Sequence, residues 1–159
     1  MSYSHLSLAD NIYQESMLRI DSVFSKENTL STVQTKHTLK PYQGQKILLS
    51  FFMPNCRWCQ RQHQVLKRIY ADCPLLNPIM IGVQASKQQL KLALKRKKNT
   101  FPAFVASHNM VQAIGEKSAV PMLLFFNEVG DLIFKAEGYL PQSQLVDLLS
   151  QKKLGFCLA

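Results

Sequence analysis

Cys56-Arg57-Trp58-Cys59 is the place in this chain where residue types and spacing point to covalent chemistry. Two intervening residues let both sulfurs meet across one turn, so the pair can cycle between dithiol and disulfide. It follows Ile47-Leu48-Leu49-Ser50-Phe51-Phe52, a short and almost continuous apolar run that reads as a strand buried on both faces. Pro54-Asn55 stops that run, and a helix is predicted from about Cys56 to Tyr70, burying Val65, Leu66 and Ile69 while Arg61, Lys67 and Arg68 stay wet. A cysteine at a helix N-terminus meets unpaired N–H groups and the positive end of the macrodipole, both of which favour an anion. Thiols so placed titrate from about 3.5 to 7.5, against about 8.5 for a free cysteine. Arg57 adds a positive charge. Cys56 is therefore expected to be the attacking thiolate, exposed at the turn. Cys59, one turn into the helix, is expected to be more buried and to act as the resolving thiol.

The same spacing serves zinc sites, and thiolates also suit a soft ion such as Cu(I). His63 and Cys73 are the nearest further donors, and no second C-x-x-C or H-x-x-x-H exists. The pattern favours redox chemistry without a metal or cofactor, and a Cu(I)/Zn carrier is the alternative. His63 follows Cys59 by one helical turn; it reads as an exposed helix histidine, with a base or ligand role as the other reading. Trp58 reads as an exposed lip that meets substrate, with burial against Pro54 the other reading.

The elements that must position this pair can be placed on the chain. Tyr13, Met17, Ile20 and Phe24 fall on one helical face, predicting an amphipathic helix over 6–26 that packs on the domain or pairs with a second copy in a homodimer. Residues 25–38 read as a polar connector with room for one short edge strand. Cys73-Pro74 ends the first core helix, Ile79–Val83 is a strand, and 86–99 is a helix. Phe101–Ala106 is a short strand and Met110–Ile114 a short helix. Two apolar runs, Met122–Phe126 and Leu132–Lys135, flank a Gly-containing loop and predict a hairpin. A closing helix spans 141–151. The order implies an α/β sandwich with a mixed sheet, divided as 1–38 for the N-terminal helix and connector and 39–159 for the main domain.

Charge and length narrow the field. At 159 residues the chain can bury a core without staples. The 19 Lys and Arg against 10 Asp and Glu leave a formal +9, but no helix-turn-helix, RNP, KH or zinc-finger pattern accompanies it, which argues against nucleic acid. The Lys87–Lys98 cluster reads as a solvated helix face. No run of about 18 apolar residues is present, so no transmembrane segment is expected. Met1–Asp10 lacks the basic patch and apolar run of a secretory signal. Four cysteines, two close-set and two isolated, are too few for a disulfide scaffold.

The run Lys46–Cys59 resembles the strand and active-site turn of thioredoxins. Its lead-in, Leu39-Lys40-Pro41-Tyr42-Gln43-Gly44-Gln45-Lys46, is similar to that of the TlpA-like disulfide oxidoreductase branch, and 86–106 resembles that branch's mid-domain insertion. Ser118–Phe126 resembles the family's Val-Pro segment, and Gly130 and Gly138-Tyr139 match its hairpin and exit positions; a conjugation- or secretion-associated sub-branch is also similar. The resemblance spans about residues 39–150. It implies a thioredoxin fold with a mixed central sheet between helices, a mid-domain insertion and the N-terminal helical extension. It also implies thiol–disulfide exchange with protein cysteines and a redox partner protein, in the reductase, oxidase or isomerase direction. Cys56 and Cys59 would be catalytic, Arg57, Trp58, Val120 and Pro121 would bind substrate, and Val120–Pro121 would be a cis bond facing the sulfurs. A periplasmic location is favoured, with the cytoplasm as the alternative. The chain departs from its relatives at Asn55 (often Trp), Ser50 (a buried Asp in thioredoxins proper), Gln62 (acidic in the cytochrome-maturation branch) and Gln64 (often Pro). In the implied fold Cys73 and Cys157 both follow helices that end at the pole opposite the dithiol; a disulfide between them is one expectation, two free thiols the other.

Overall fold

The computed structural model describes residues 12–21, 36–115, 119–150 and 157. Five strands form the main sheet: β3 (Ile47–Phe52), β4 (Pro78–Gly82), β5 (Ala103–Val105), β6 (Met122–Phe126) and β7 (Leu132–Glu137), in the order β5-β4-β3-β6-β7. β3 pairs parallel with β4, and β4 with β5; β6 runs antiparallel to both β3 and β7. A mixed sheet results, with β3 at its centre and all six of its residues buried. A strand covered on both faces needs apolar side chains at both parities, which is why the run shows no polar alternation.

Period two sorts the core. Ile47, Leu49 and Phe51 face one side with Ile79, Ile81, Met122, Leu124 and Phe126. Leu48 and Phe52 face the other, against helices α1 (Arg57–Asp72), α2 (Lys87–Arg96) and α4 (Gln142–Ser150), through Leu66, Ile69, Leu90, Leu94, Leu145 and Leu149. α3 (His108–Ile114) covers the first side with Met110. α2 starts at a capping box in which Ser86 and Gln89 satisfy each other's backbone N–H groups. It lies close enough to β4 that a Cβ on Gly82 would come within 2.7 Å of Leu90 Cδ1, so any larger residue there would make the Leu90 side chain shift.

The helix expected over 6–26 does not form where the chain is described. Ile12–Gln14 is a single 3₁₀ turn, β1 (Met17–Leu18) pairs antiparallel with β2 (Lys36–His37), and Arg19 bridges Phe104. The Ile20 N–H donates to the Ala103 carbonyl at 2.8 Å. Ile12, Met17 and Ile20 are buried, so the apolar spacing is real, but it serves an extended segment capping the β5 edge. Pairing of two copies through that helix loses its basis over 12–21; residues 1–11 and 22–35 lie outside the described residues. β2 falls within the connector that has room for one short strand.

Candidate active site

β3 ends at Phe52, and Met53-Pro54-Asn55 carries the chain over the end of the sheet into α1. Asn55 takes φ +57°, a left-handed conformation that asparagine tolerates and a bulky residue such as tryptophan resists. That is the physical reason for asparagine here. Cys56 is the N-cap of α1, and its Sγ accepts the Cys59 backbone N–H at 3.1 Å, so an orphan donor of the first turn points at sulfur. Cys56 and Cys59 are joined in a disulfide, their Cα atoms 5.2 Å apart. Cys56 is 8% exposed and Cys59 2%. The order of accessibility is as expected, but Cys56 is nearly covered rather than openly exposed, and it belongs to the same buried cluster as Cys59.

The register of β6 on β3 sets Met122 opposite Phe51, so Pro121 lies level with Phe52 and Val120 with Met53, at the sheet end that carries the cysteines. The Val120–Pro121 bond is cis. Gly138 N–H donates to the Pro121 carbonyl at 2.9 Å, which brings the exit of β7 to the same end. There the Tyr139 ring meets Trp58 at 5.2 Å between centroids, and the Arg61 guanidinium lies 4.7 Å over Trp58. Trp58 keeps 49% of its surface exposed, a lip held by an aromatic and a cationic neighbour. Arg57 is exposed beside it.

Two residues of α1 differ from their sequence reading. Gln62 stands out in the sequence as a missing carboxylate, yet it is buried and bidentate. Its Oε1 accepts Leu140 N–H at 2.8 Å and its Nε2 donates to the Leu140 carbonyl at 3.2 Å, tying the active-site helix to the segment that carries Tyr139. An amide satisfies both backbone groups, which a carboxylate cannot.

His63 is buried, not exposed. Its Nε2 donates to Asn99 Oδ1 at 2.9 Å, an orientation fixed because Asn99 Nδ2 donates to the Phe101 carbonyl. Its ring meets the edge of Phe101. Desolvation, opposed by the Asn99 hydrogen bond and aided by Lys97 and Lys67, lowers its pKa to about 4. It is a neutral structural imidazole at pH 7 and a weak proton acceptor. The unfolded chain takes up this proton near pH 6.5 and the folded chain only near 4, so stability falls as pH drops through that window. The loss reaches up to about 3 kcal/mol. Urea midpoints measured from pH 7 to 4.5 are expected to fall in the native chain and to flatten in His63→Leu.

The chain belongs to the thioredoxin-like domain family, which matches residues 34–153. No curated protein matches the sequence. Among solved structures it is similar to a secreted Mycobacterium tuberculosis disulfide oxidoreductase homologous to E. coli DsbE, at TM-score 0.67 and 14% identity over 87% of this chain and 96% of that one. It is similar to StoA from Bacillus subtilis, at TM-score 0.59 and 18% identity over 86% and 97%. It is also similar to the exposed lipoprotein thioredoxin Etrx1 of Streptococcus pneumoniae, at TM-score 0.63 and 16% identity over 85% and 96%. At these identities the likeness is one of fold. This thioredoxin-like chain places its cysteine pair, its cis-proline turn and its aromatic lip at one end of the sheet. Among the described residues no helix is long and apolar enough to cross a membrane, and no three His, Cys, Asp or Glu side chains form a metal-ligand group.

Proposed function

We propose that this chain exchanges disulfides with protein cysteines through Cys56 and Cys59, as a thiol–disulfide oxidoreductase. The observation that carries this is the bonded sulfur pair at the head of α1, with the Cys59 N–H directed at Cys56 Sγ. In the reducing direction the Cys56 thiolate attacks a substrate disulfide, forms a mixed disulfide and expels one substrate thiolate. Cys59, deprotonated, then attacks Cys56 Sγ, expels the second thiolate and leaves the oxidised pair seen here; the reverse sequence oxidises a substrate dithiol. Arg57 and Trp58 flank the incoming cysteine on one side, and Val120 and Pro121 on the other. A protein that restores the redox state of the pair is the second partner.

The Cu(I)/Zn carrier alternative is the less supported reading. The two sulfurs bond each other, and His63, the nearest nitrogen donor in sequence, is buried and held by Asn99. An oxidising compartment outside the cytoplasm fits the second disulfide, Cys73–Cys157, and the similar proteins whose names describe them as secreted or exposed. Titration of the Cys56/Cys59 pair against glutathione, read by mass after alkylation, tests the function and sets its direction. A single two-electron transition is expected; a pair that binds Cu(I) at nanomolar concentration and fails to reduce insulin would overturn the reading.

A further inference from the structure

Residues 57–98 hold ten of the nineteen Lys and Arg and one of the ten Asp and Glu. The entire formal excess of nine charges therefore lies on α1, α2 and the segments joining them, while the rest of the chain is balanced. Part of that charge lines a cleft of about 490 Å³ alongside the active-site helix. Its walls are Gln60, Gln64 and Lys67 of α1, which share one helical face, and Arg96, Lys97 and Lys98 at the end of α2; His63 closes it. The volume suits side chains of a polypeptide rather than a single ion.

Cations at a helix C-terminus ordinarily answer its exposed carbonyls. Here Lys67 already does so, donating from Nζ to the Lys97 and Lys98 carbonyls at 3.2 and 2.8 Å. Arg96, Lys97 and Lys98 are surplus to that task. The ion pairs of the described residues lie elsewhere, at Arg19–Asp21, Lys46–Glu128 and Lys135–Glu137, and no carboxylate among the described residues lines the cleft. The Lys97 amine is buried without a hydrogen-bond acceptor and rests 4.4 Å over the Phe52 ring. Desolvation there lowers its pKa to about 8, so at pH 7 the amine is still mostly charged, with the Phe52 ring and no hydrogen-bond acceptor beside it.

We propose that this cleft is a docking subsite for acidic polypeptide, in which the exposed Arg96 and Lys98 take carboxylates of the segment flanking a substrate or partner cysteine, with the inward-turned Lys97 adding its charge from beneath. The assignment rests on Cys56 exchanging disulfides. Along α1, at about 1.5 Å per residue, the cleft residues lie about 6 to 16 Å from Cys56. An extended chain covers that span in about two to five residues, which sets the distance of the acidic side chains from the cysteine. A lipid surface would meet the outer row of Lys87, Lys91 and Lys95 in preference to a recess walled by two helices.

Two peptides with one disulfide each test this, alike except that one carries Glu and the other Gln at those flanking positions. Single-turnover exchange with the full chain is expected to half-saturate at about tenfold lower concentration for the Glu peptide, with equal limiting rates. High salt should remove the advantage, as should Arg96→Gln/Lys97→Gln/Lys98→Gln. Arg96→Gln/Lys98→Gln, confined to exposed side chains, repeats the measurement should the triple variant fold poorly. Equal half-saturation in the native chain, or a variant that weakens both peptides alike, overturns the proposal. So does loss of binding to phosphatidylserine vesicles in the variants with no difference between the peptides. If neither peptide exchanges in either direction, the oxidoreductase reading fails by itself. Fluorescence anisotropy with a Ser-for-Cys Glu peptide then decides the cleft: salt-sensitive binding lost in the variants supports it, and no binding overturns it.

Discussion

Cys56→Ser is expected to lower disulfide exchange by roughly three orders of magnitude or more, because it removes the proposed nucleophile and not merely a contact. Cys59→Ser should behave differently. Cys56 remains at the N-cap, where the residue-59 backbone N–H and the helix dipole still favour its anion, so the first attack proceeds. Resolution does not, and a mixed disulfide accumulates. Intact mass after incubation with a small protein disulfide reads both outcomes: an adduct on the Cys59→Ser chain and none on the Cys56→Ser chain. The opposite pattern would reverse the two roles. Fold disruption is not expected from either change, since serine preserves the cap and each replacement is nearly isosteric. The accessibility difference, 8% against 2%, is small, so the assignment leans on cap geometry more than on exposure.

What could be read without the structure was whatever is encoded locally. The apolar run 47–52, the stop at Pro54-Asn55 and the helix after it are short-range patterns, and by themselves they place Cys56 at a helix head. A Cys73–Cys157 bond is one of two expectations, and it follows from the resemblance, whose implied fold brings both helices to one pole. Partners that arrive from distant segments were not legible. His63 reads as exposed because a helix histidine usually is, although its spacing from Cys59 and Leu66 puts it on the apolar face; that Asn99 and Phe101 cover it is not written in residues 56–70. Gln62 reads as an absent acid, because its partner Leu140 lies 78 residues away. Lys97 reads as one of a solvated row, though its amine turns inward onto Phe52. The segment around Met17 shows the reverse error. Its apolar residues are buried as their spacing suggests, but the edge of β5 determines its conformation by offering backbone groups to Arg19 and Ile20.

Removing the second disulfide should cost more stability than any other change considered. Cys73 is the C-cap of α1 and Cys157 bonds it across a sequence separation of 84, with Cα atoms 5.0 Å apart. For a closed loop of that length the chain-entropy model gives about 4 to 5 kcal/mol, and measured values for native disulfides usually fall at about 2 to 4. The site is the far end of the helix whose head carries Cys56, so the bond closes a loop that starts at α1's C-cap and contains β4, α2, β5, α3, the hairpin and α4. Cys73→Ala/Cys157→Ala is the variant to compare, because a reductant would open the Cys56–Cys59 bond as well and a single replacement would leave a free thiol to reshuffle. Guanidinium unfolding under oxidising conditions should show a lower midpoint worth about 2 to 5 kcal/mol. The rate of exchange at Cys56 should stay within a factor of about two, because distant independent sites usually add. A loss below about 1 kcal/mol would mean that the unfolded chain is already compact around these two cysteines. A fall in exchange rate matching the loss of stability would mean that the bond also holds α1 in the register its N-terminal sulfur requires.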